Sequence, residues 1–382
     1  MKKVFAIVMA AMMIMAMFAG CGASKHGDSD GVIKVGTSGP LNNDYAVYGK
    51  AVANGLELAF EEINAKGGLQ FEVRAEDDEA DVEPAVNAYN TLMDWGMQIM
   101  AGPTTSGSAA AAAVECVKDN VFMLTPSASD PAVLEAGASV FQICFSDTNQ
   151  GKASAQYIFN NKMATKVGVI YDSSSPYSAG IFATFKAEAQ SLGLEIAVEA
   201  PFTDATKGDL TTQVTKCQQA GCDLVFLPIY TAEAAKVLSV ANANGYTPKF
   251  FGCDGLDGIL NVKDFDTKLA EGVMLLTPFD ATSTDAKTQA FVKAYTEKFG
   301  ITPNQFAADA YDVGYAIYEA CKASGVTADM SAADVCAKMI EWFTSKSFDG
   351  ITGAGMTWGK DGAVSKDPMA VVIENGVYVG VK

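Results

Sequence analysis

Apolar, β-rich runs alternate with amphipathic stretches along most of the chain. Nine such runs end in Gly, Pro, Ser or Asp and precede segments rich in Ala, Lys and Glu: VIKVGTSGP, FEVRAEDDE, MQIMAGPTT, VFMLTPSAS, KVGVIYDSS, LEIAVEAPF, DLVFLPIYT, KFFGCDG and GVMLLTPFD. Alternation of strand and helix is typical of parallel sheets covered by helices on both faces. We therefore expect an α/β fold built from doubly wound parallel sheets.

Two local patterns fix individual elements. Residues 50–65 carry apolar side chains on one helical face, followed by the terminator KGG: Val52, Leu56, Ala59 and Ile63. Near the C-terminus, Asn375-Gly376 separates two β-rich runs, which predicts a hairpin. A break near 145–152, where FQICFSDTNQGK ends one strand series, predicts a crossing between two domains. The length of 382 residues is sufficient for two cores.

The N-terminus has the features of a lipoprotein signal peptide, assigned to residues 1–20. Lys2 and Lys3 precede an uncharged apolar run of about 15 residues, shorter than a membrane-spanning helix requires. Small residues then lead to Cys21, which we expect to be lipidated, and residues 21–31 to form a flexible tether. Plain secretion and an uncleaved anchor helix are the alternatives.

Composition excludes several classes of function. The net charge of −18 disfavours nucleic-acid binding. The single histidine, His26, lies in the tether, and no CxxC pair is present, so we expect no metal site and no cofactor. Without a histidine base or an intact nucleotide-binding motif, an enzyme is not expected. The cysteines after Cys21 are expected to be mainly buried thiols; a Cys217–Cys222 pair remains open.

Two hydroxyl-rich segments follow neighbouring predicted strands. GPTTSGS at 102–108 lies between MQIMAG and a predicted helix, and LTPSASD at 124–130 repeats the arrangement. Ligands of such sheets bind at the carboxyl ends of the strands, where helix N-termini attract a carboxylate without arginine. The alternative is that Ser106 or Ser108 only caps the helix.

The order and spacing of several motifs resemble the leucine/isoleucine/valine-binding proteins, the solute-binding subunits of ABC importers. These motifs span residues 32–375 and are TSGPLNNDYAVYGKAVANGLELAFEEINAKGG, EDDEAD, GPTTSGS, MLTPSASDP, VIYDSSSPYSAG, FFGCDGLDG and MTWGKDG. The resemblance implies a type I periplasmic-binding-protein fold, in which two doubly wound parallel-sheet domains are joined by a hinge with crossovers. We expect domain 1 to comprise 32–146 plus 279–349, and domain 2 to comprise 147–278 plus 350–382.

The same resemblance implies a set of binding residues. Ser106 corresponds to the carboxylate-binding serine, and Asp254 to an acid that pairs with the ligand ammonium, although relatives have the longer Glu. The remaining correspondences are the segment Ser127, Ala128 and Ser129, the cleft aromatics Tyr177 and Tyr230, Tyr48 at the mouth of the cleft and Phe306 in the side-chain pocket.

Several of these residues have a simpler interpretation. Asp254 in CDGLDG is also suited to shaping a Gly-rich turn, and Tyr177 to lying on the surface. Three tyrosines at helical spacing are expected to pack along a helix: Tyr311, Tyr315 and Tyr318. EDDEAD at 76–81 is expected to be a solvated strand end rather than a cation site.

Taken together, these features predict a monomeric extracytoplasmic lipoprotein that captures an amino acid between two closing domains. It would deliver this solute to ABC permease subunits, and contact the outer side of the cytoplasmic membrane only through its lipid, or be periplasmic. A neutral, branched-chain or aliphatic ligand is favoured because the single arginine, Arg74, adjoins an acidic run. The alternatives are a ligand-sensing receptor-type protein, or an importer component for another amino-acid-like or amide solute.

Overall fold

The computed structural model describes residues 31–381. The expected signal peptide and Cys21 lie outside these residues. The strands are β1 Val32–Gly39, β2 Gln70–Asp77, β3 Ile99–Met100, β4 Phe122–Thr125, β5 Val140–Gln142, β6 Val167–Asp172, β7 Ile196–Phe202, β8 Leu224–Leu227, β9 Lys249–Gly252, β10 Met274–Thr277, β11 Ser347–Phe348, β12 Met356–Thr357, β13 Met369–Glu374 and β14 Val377–Gly380. The helices are α1 Ala46–Ala65, α2 Val82–Trp95, α3 Ser106–Lys118, α4 Asp147–Asn160, α5 Pro176–Leu192, α6 Thr211–Gln219, α7 Thr231–Ala243, α8 Ala286–Phe299, α9 Gln305–Ser324 and α10 Ala332–Phe343.

Two sheets organise the molecule. The first is wholly parallel, with strand order β2-β1-β3-β4-β5, and the second has the order β14-β13-β10-β9-β8-β6-β7. All nine predicted strands are present, and the α/β expectation is confirmed. The second sheet extends the parallel set by an antiparallel hairpin, β13–β14. In both sheets the strand order reverses beside the first strand, β1 or β6, and this reversal opens a crevice at the carboxyl ends.

Local sequence accounts for the predicted elements. Helix α1 buries the four apolar positions of its predicted face, and Gly67 and Gly68 follow its end with positive φ. The hairpin turn places Asn375 at φ 52° and Gly376 at φ 74°, the left-handed conformation required by a type I′ turn. The seven cysteines within the described residues are buried free thiols, and Cys217 and Cys222 form no disulfide.

Each sheet packs with its own helices, and we call these assemblies lobe 1 and lobe 2. The core of lobe 1 joins β1–β5 to α1 and the helices α8–α10, whereas the cores of lobe 2 join β6–β10 and β13 to α4–α7. The segment 350–366 was expected in domain 2, yet Met356 and Trp358 pack in the lobe 1 core. Lys366 Nζ also donates to Asp309 Oδ1 of α9 at 2.6 Å, inside the protein. We therefore propose that the last crossing lies at 366–369, later than the expected division; the other boundaries stay a prediction.

No helix within residues 31–381 combines the length and the apolar character that a membrane crossing requires.

Candidate functional site

The carboxyl ends of the two sheets face each other across a small enclosed space. The residues lining it are Tyr48, Thr104, Thr105, Ser106, Ser127, Tyr177, Tyr230, Asp254, Gly255 and Phe306. Seven of the nine residues implied by the family resemblance are among them. Ala128 and Ser129 are buried but do not line the space. Its volume of about 10 Å³ is close to that needed for one water molecule.

The first wall of the space is the N-terminus of α3, which follows β3. Thr105 is the N-cap residue, but its hydroxyl donates to Ser108 Oγ at 3.1 Å and makes no capping bond. Neither Ser106 nor Ser108 occupies the N-cap position, so the capping alternative does not hold. No acidic side chain occupies the first turn of this buried helix end. Its backbone N–H groups and positive dipole end are suited to an anion.

The neighbouring strand end presents a second set of hydroxyls. Ser127 Oγ donates to the Thr104 carbonyl at 2.6 Å, which ties the two strand ends together. Thr125 Oγ1 accepts from the backbone N–H of Ala128 at 3.0 Å and holds this loop in place. Ser129 Oγ is buried without a hydrogen-bond partner. Thus the Ser127 hydroxyl lines the space but is engaged as a donor, whereas the Ser129 hydroxyl lies outside the lining and next to Asp147, whose pKa it lowers in part.

Asp254 provides the negative charge of the opposite wall. Its side chain is buried, and Tyr177 Oη donates to its Oδ1 at 2.6 Å. The backbone N–H of Asp254 donates to Gln150 Oε1 at 3.2 Å. Burial raises the pKa of Asp254 to about 7, and the Tyr177 hydrogen bond offsets part of this rise. Tyr177 itself is buried, so the surface alternative for this residue is wrong.

Aromatic rings form the remaining walls. Tyr177 and Tyr230 stack with centroids 4.9 Å apart and an interplanar angle of 6°. Tyr48 lies 5.2 Å from Tyr230 and 4.9 Å from Phe306, measured between ring centroids. These faces give the space an apolar surface between its hydroxyl-rich wall and its acidic wall.

Polar contacts join the two lobes around the mouth of the space. Tyr48 Oη donates to the Gly255 carbonyl at 2.6 Å and accepts from the backbone N–H of Thr231 at 2.7 Å. One helical turn earlier, Tyr45 Oη donates to Glu233 Oε1 and accepts from Lys207 Nζ, each at 3.0 Å. We call the contact of Tyr45 with Glu233 and Lys207 the tyrosine latch. Sequence reasoning missed it, although the motif YAVY places two tyrosines on one helical face.

Charged groups elsewhere are engaged in local structure. Arg74 pairs with Glu76 at 2.7 Å on the exposed side of β2, and no Lys or Arg lines the enclosed space. Within residues 31–381, no cluster of His, Cys, Asp or Glu has the arrangement needed for a metal ion. In the EDDEAD run, Asp77 accepts the backbone N–H groups of Leu41 and Glu79 and so organises a turn. The expected solvated strand end is wrong for Asp78, which is buried and accepts from the Ser38 hydroxyl at 2.9 Å.

The expected helical packing of Tyr311, Tyr315 and Tyr318 is confirmed, because all three pack against the lobe 1 core. Tyr311 and Tyr315 each donate to Glu62 Oε2 of α1 at 2.7 Å. None of the three lines the enclosed space.

A wider groove of about 860 Å³ lies between the N-terminal half of α1 and lobe 2, whose Leu210, Lys236 and Val262 are among its lining residues. Several of its lining side chains are exposed to solvent, among them Asp44, Lys50 and Lys263. It contains neither the hydroxyl-rich strand ends nor Asp254. The smaller space is therefore the candidate site, because the complementary polar groups converge there.

Comparisons with known proteins agree with this architecture. A family model described as "Periplasmic binding protein" matches residues 32–376. The Leu/Ile/Val-binding protein homolog 3 of Brucella melitensis is 29% identical over 306 residues, covering 78% of this chain and 81% of that protein. An amino acid binding protein of Pseudomonas aeruginosa is 29% identical over 355 residues, covering 89% of each chain.

Among solved structures, the branched-chain amino acid transporter substrate binding protein LivJ of Streptococcus pneumoniae, in complex with isoleucine, superposes with a TM-score of 0.81. It is 28% identical, and the match covers 92% of this chain and 100% of that chain. The family resemblance read from the motifs is thereby confirmed. Because the family model spans nearly the whole described chain, the chain belongs to the periplasmic binding protein family and is a solute-binding protein with the type I fold.

Proposed function

We propose that the protein is the extracytoplasmic solute-binding subunit of an ABC importer and captures a neutral aliphatic amino acid between its lobes. The observation that carries this proposal is that a hydroxyl-rich wall and an acidic wall face each other across one enclosed space. The α3 N-terminus and its hydroxyls are complementary to a carboxylate, and Asp254 is complementary to an ammonium. A zwitterion therefore satisfies both walls at once.

The rest of the lining favours an aliphatic side chain. Tyr48, Tyr230 and Phe306 offer ring faces, whose contact with methyl and methylene groups is favourable by about 0.8 kcal/mol per buried CH₂. A second ligand carboxylate would lack a cationic partner, because no Lys or Arg lines the space and Arg74 is paired on the surface. The names of the relatives point in the same direction, since they describe proteins that bind leucine, isoleucine and valine, and in one case also threonine and alanine.

Capture requires the lobes to move. A space of about 10 Å³ admits no amino acid, so the solute enters only when the lobes separate. Closure then brings Tyr48 of α1 and Tyr45, which precedes this helix, into contact with lobe 2. A ligand that contacts both lobes stabilises the closed form by its differential affinity for that form. The closed pair of lobes is the form that we expect to dock on the permease.

Calorimetry of the purified protein, without residues 1–20, against the twenty amino acids tests this proposal. We expect measurable heats with leucine, isoleucine or valine and none with aspartate, glutamate, lysine or arginine. Binding of an amide or another solute, with no response to any amino acid, would contradict the proposed ligand class but retain solute binding.

The raised pKa of Asp254 gives binding a defined pH dependence. An ammonium ligand prefers the ionised carboxylate, so affinity should fall as pH decreases from 7 to 5, by up to about tenfold per pH unit. The other ionisable groups that interact with Asp254 are Tyr177, Tyr230, Cys144, Cys253, Asp147, Asp257 and Asp309. Burial also raises the pKa of Asp147 and Asp257, so protonation of these acids accompanies that of Asp254 as the pH falls.

Asp254→Asn should weaken binding by about 2 kcal/mol or more, roughly 30-fold, and make the pH profile shallower. Calorimetry at several pH values measures both effects. An unchanged affinity and profile would remove Asp254 from the site.

The tyrosine latch should control ligand release. Tyr45→Phe keeps the ring that packs on Tyr230 but removes both hydrogen bonds of the latch, at a cost of about 1–2 kcal/mol. Dissociation measured by stopped flow should accelerate roughly 5- to 30-fold. Tyr311→Phe is the matched control, because it removes a tyrosine–glutamate hydrogen bond that lies within lobe 1. Equal dissociation rates for the two variants would contradict the latch.

We also propose that Cys21 carries the lipid that retains the protein at the outer side of the cytoplasmic membrane. Two acyl chains anchor a protein durably, whereas one chain exchanges. Cys21→Ser should abolish lipid labelling and release the protein from the membrane fraction, with amino-acid affinity unchanged. Retention of this variant in the membrane would instead favour an uncleaved helix.

A further inference from the structure

Two helices of lobe 1, α3 and α9, begin beside the enclosed space between the lobes. Ser106, the first residue of α3, and Phe306, the second residue of α9, both line that space. Neither helix has an acidic side chain in its own first turn. At α9, however, an acid of lobe 2 takes this place, because the backbone N–H of Gln305 donates to Asp257 Oδ2 at 2.7 Å. Asp257 therefore supplies to α9 the anion that α3 lacks.

The bond between Asp257 and Gln305 lies inside the protein, since both residues are buried. Burial raises the pKa of Asp257 to about 7, and the Gln305 N–H offsets part of this rise. The N-cap side chain of α9, Asn304, accepts from the backbone N–H of Ala307 at 3.2 Å and not from that of Gln305. Asp257 is thus the partner of a buried backbone donor that α9 itself leaves unsatisfied.

The loop that carries Asp257 is held within lobe 2. The backbone N–H of Asp257 donates to the Asp254 carbonyl at 2.8 Å, and that of Gly258 donates to Tyr378 Oη of β14 at 2.8 Å. Gly258 has φ 104° and lies so close to lobe 1 that a Cβ atom there would be 2.8 Å from Val47 Cγ2 of α1. The glycine permits the close approach of this loop to lobe 1, which places the Asp257 carboxylate at α9.

We propose that Asp257 is a positioning residue for closure, which binds the N-terminus of α9 across the lobe contact and stabilises the closed form without touching the solute. Asp257 does not line the enclosed space. Opening exchanges its bond to Gln305 for water at both groups, whereas closure desolvates both groups and requires that they pair. The inference rests on the proposed function, because it concerns capture by closure. It adds a contact that sets the affinity for every solute by the same factor.

Asp257→Ala tests this role because it leaves the Gln305 N–H without a partner in the closed form. Calorimetry at pH 8, where Asp257 is mainly ionised, should show binding of leucine, isoleucine and valine weakened about tenfold or more, by the same factor for each. Dissociation measured by stopped flow should accelerate. Asp257→Asn keeps an acceptor oxygen and removes the buried charge, so its affinities should stay within about threefold of the wild type.

Gln305→Pro removes the donor from the other side of the same contact. Proline is favoured at the first position of a helix, and the preceding Asn304 already has the extended backbone that proline requires, at φ −97° and ψ 179°. This variant alone should also weaken binding about tenfold or more. In the double variant with Asp257→Ala, the second substitution should add less than about threefold, because the contact is already absent. A double loss equal to the product of the two single losses would contradict a direct contact.

Asp285→Ala is the matched control. Asp285 is the N-cap residue of α8 and accepts the backbone N–H of Thr288 at 2.9 Å, so this change removes a carboxylate from a helix N-terminus within lobe 1. It should lower the melting temperature and leave the affinities for the three amino acids unchanged.

The possible outcomes separate this inference from the proposed function. Unaltered affinity in Asp257→Ala and Gln305→Pro, with or without a lower melting temperature, would overturn the role of Asp257 and leave the proposed function intact. Losses that differ more than about fivefold among the three ligands would place Asp257 in contact with the solute, which would also overturn the inference.

A wild type that binds no amino acid would contradict the proposed function itself. Small-angle X-ray scattering of the ligand-free protein then tests the inference, which predicts a larger radius of gyration for Asp257→Ala than for the wild type. Equal radii would overturn it.

Discussion

A carboxylate buried without a protein cation is the constraint on which the site depends. Moving an ion from water into a protein interior costs several kcal/mol, and the molecule meets this cost in two different ways. In lobe 1, Asp309 is paired with Lys366 at 2.6 Å. At the cleft, Asp254 has the Tyr177 hydroxyl and no Lys or Arg, and its pKa rises to about 7. In the proposed function an amino-acid ammonium supplies the missing positive charge, which would link ligand binding to formation of the closed site.

The fold explains why this charge faces a complementary wall. Parallel strands bring their carboxyl ends to one edge, and the reversal of strand order beside β1 and β6 opens a crevice at that edge in each sheet. Helix α3 begins at the crevice of lobe 1 and provides N–H groups without a formal charge. Because the two walls belong to different lobes, neither lobe alone would bind both ends of the proposed zwitterion. Closure is then part of recognition, and the contacts of Tyr48 and Tyr45 stabilise the same state.

Much of the fold could be predicted from the sequence, because it depends on local patterns. The apolar face of α1, the nine strands and the hairpin at Asn375-Gly376 all follow from spacing within a few residues. The pairing of that hairpin with β10 and the packing of Met356 and Trp358 with lobe 1 did not follow, because they depend on contacts between segments far apart in the sequence. The residues implied by the family resemblance include most of those that line the enclosed space. Tyr45 escaped that reasoning because its partners, Glu233 and Lys207, lie on elements distant in the sequence.

A crystal structure of the protein with bound leucine is the most direct test of the account. The account predicts the leucine carboxylate against the N-terminus of α3 and Ser106, and its ammonium within hydrogen-bond distance of Asp254. The side chain should lie against Tyr48, Tyr230 and Phe306. A leucine held with its ammonium towards α3, or outside the space between the lobes, would contradict the central claim that a charge supplied by the ligand completes a buried acidic site.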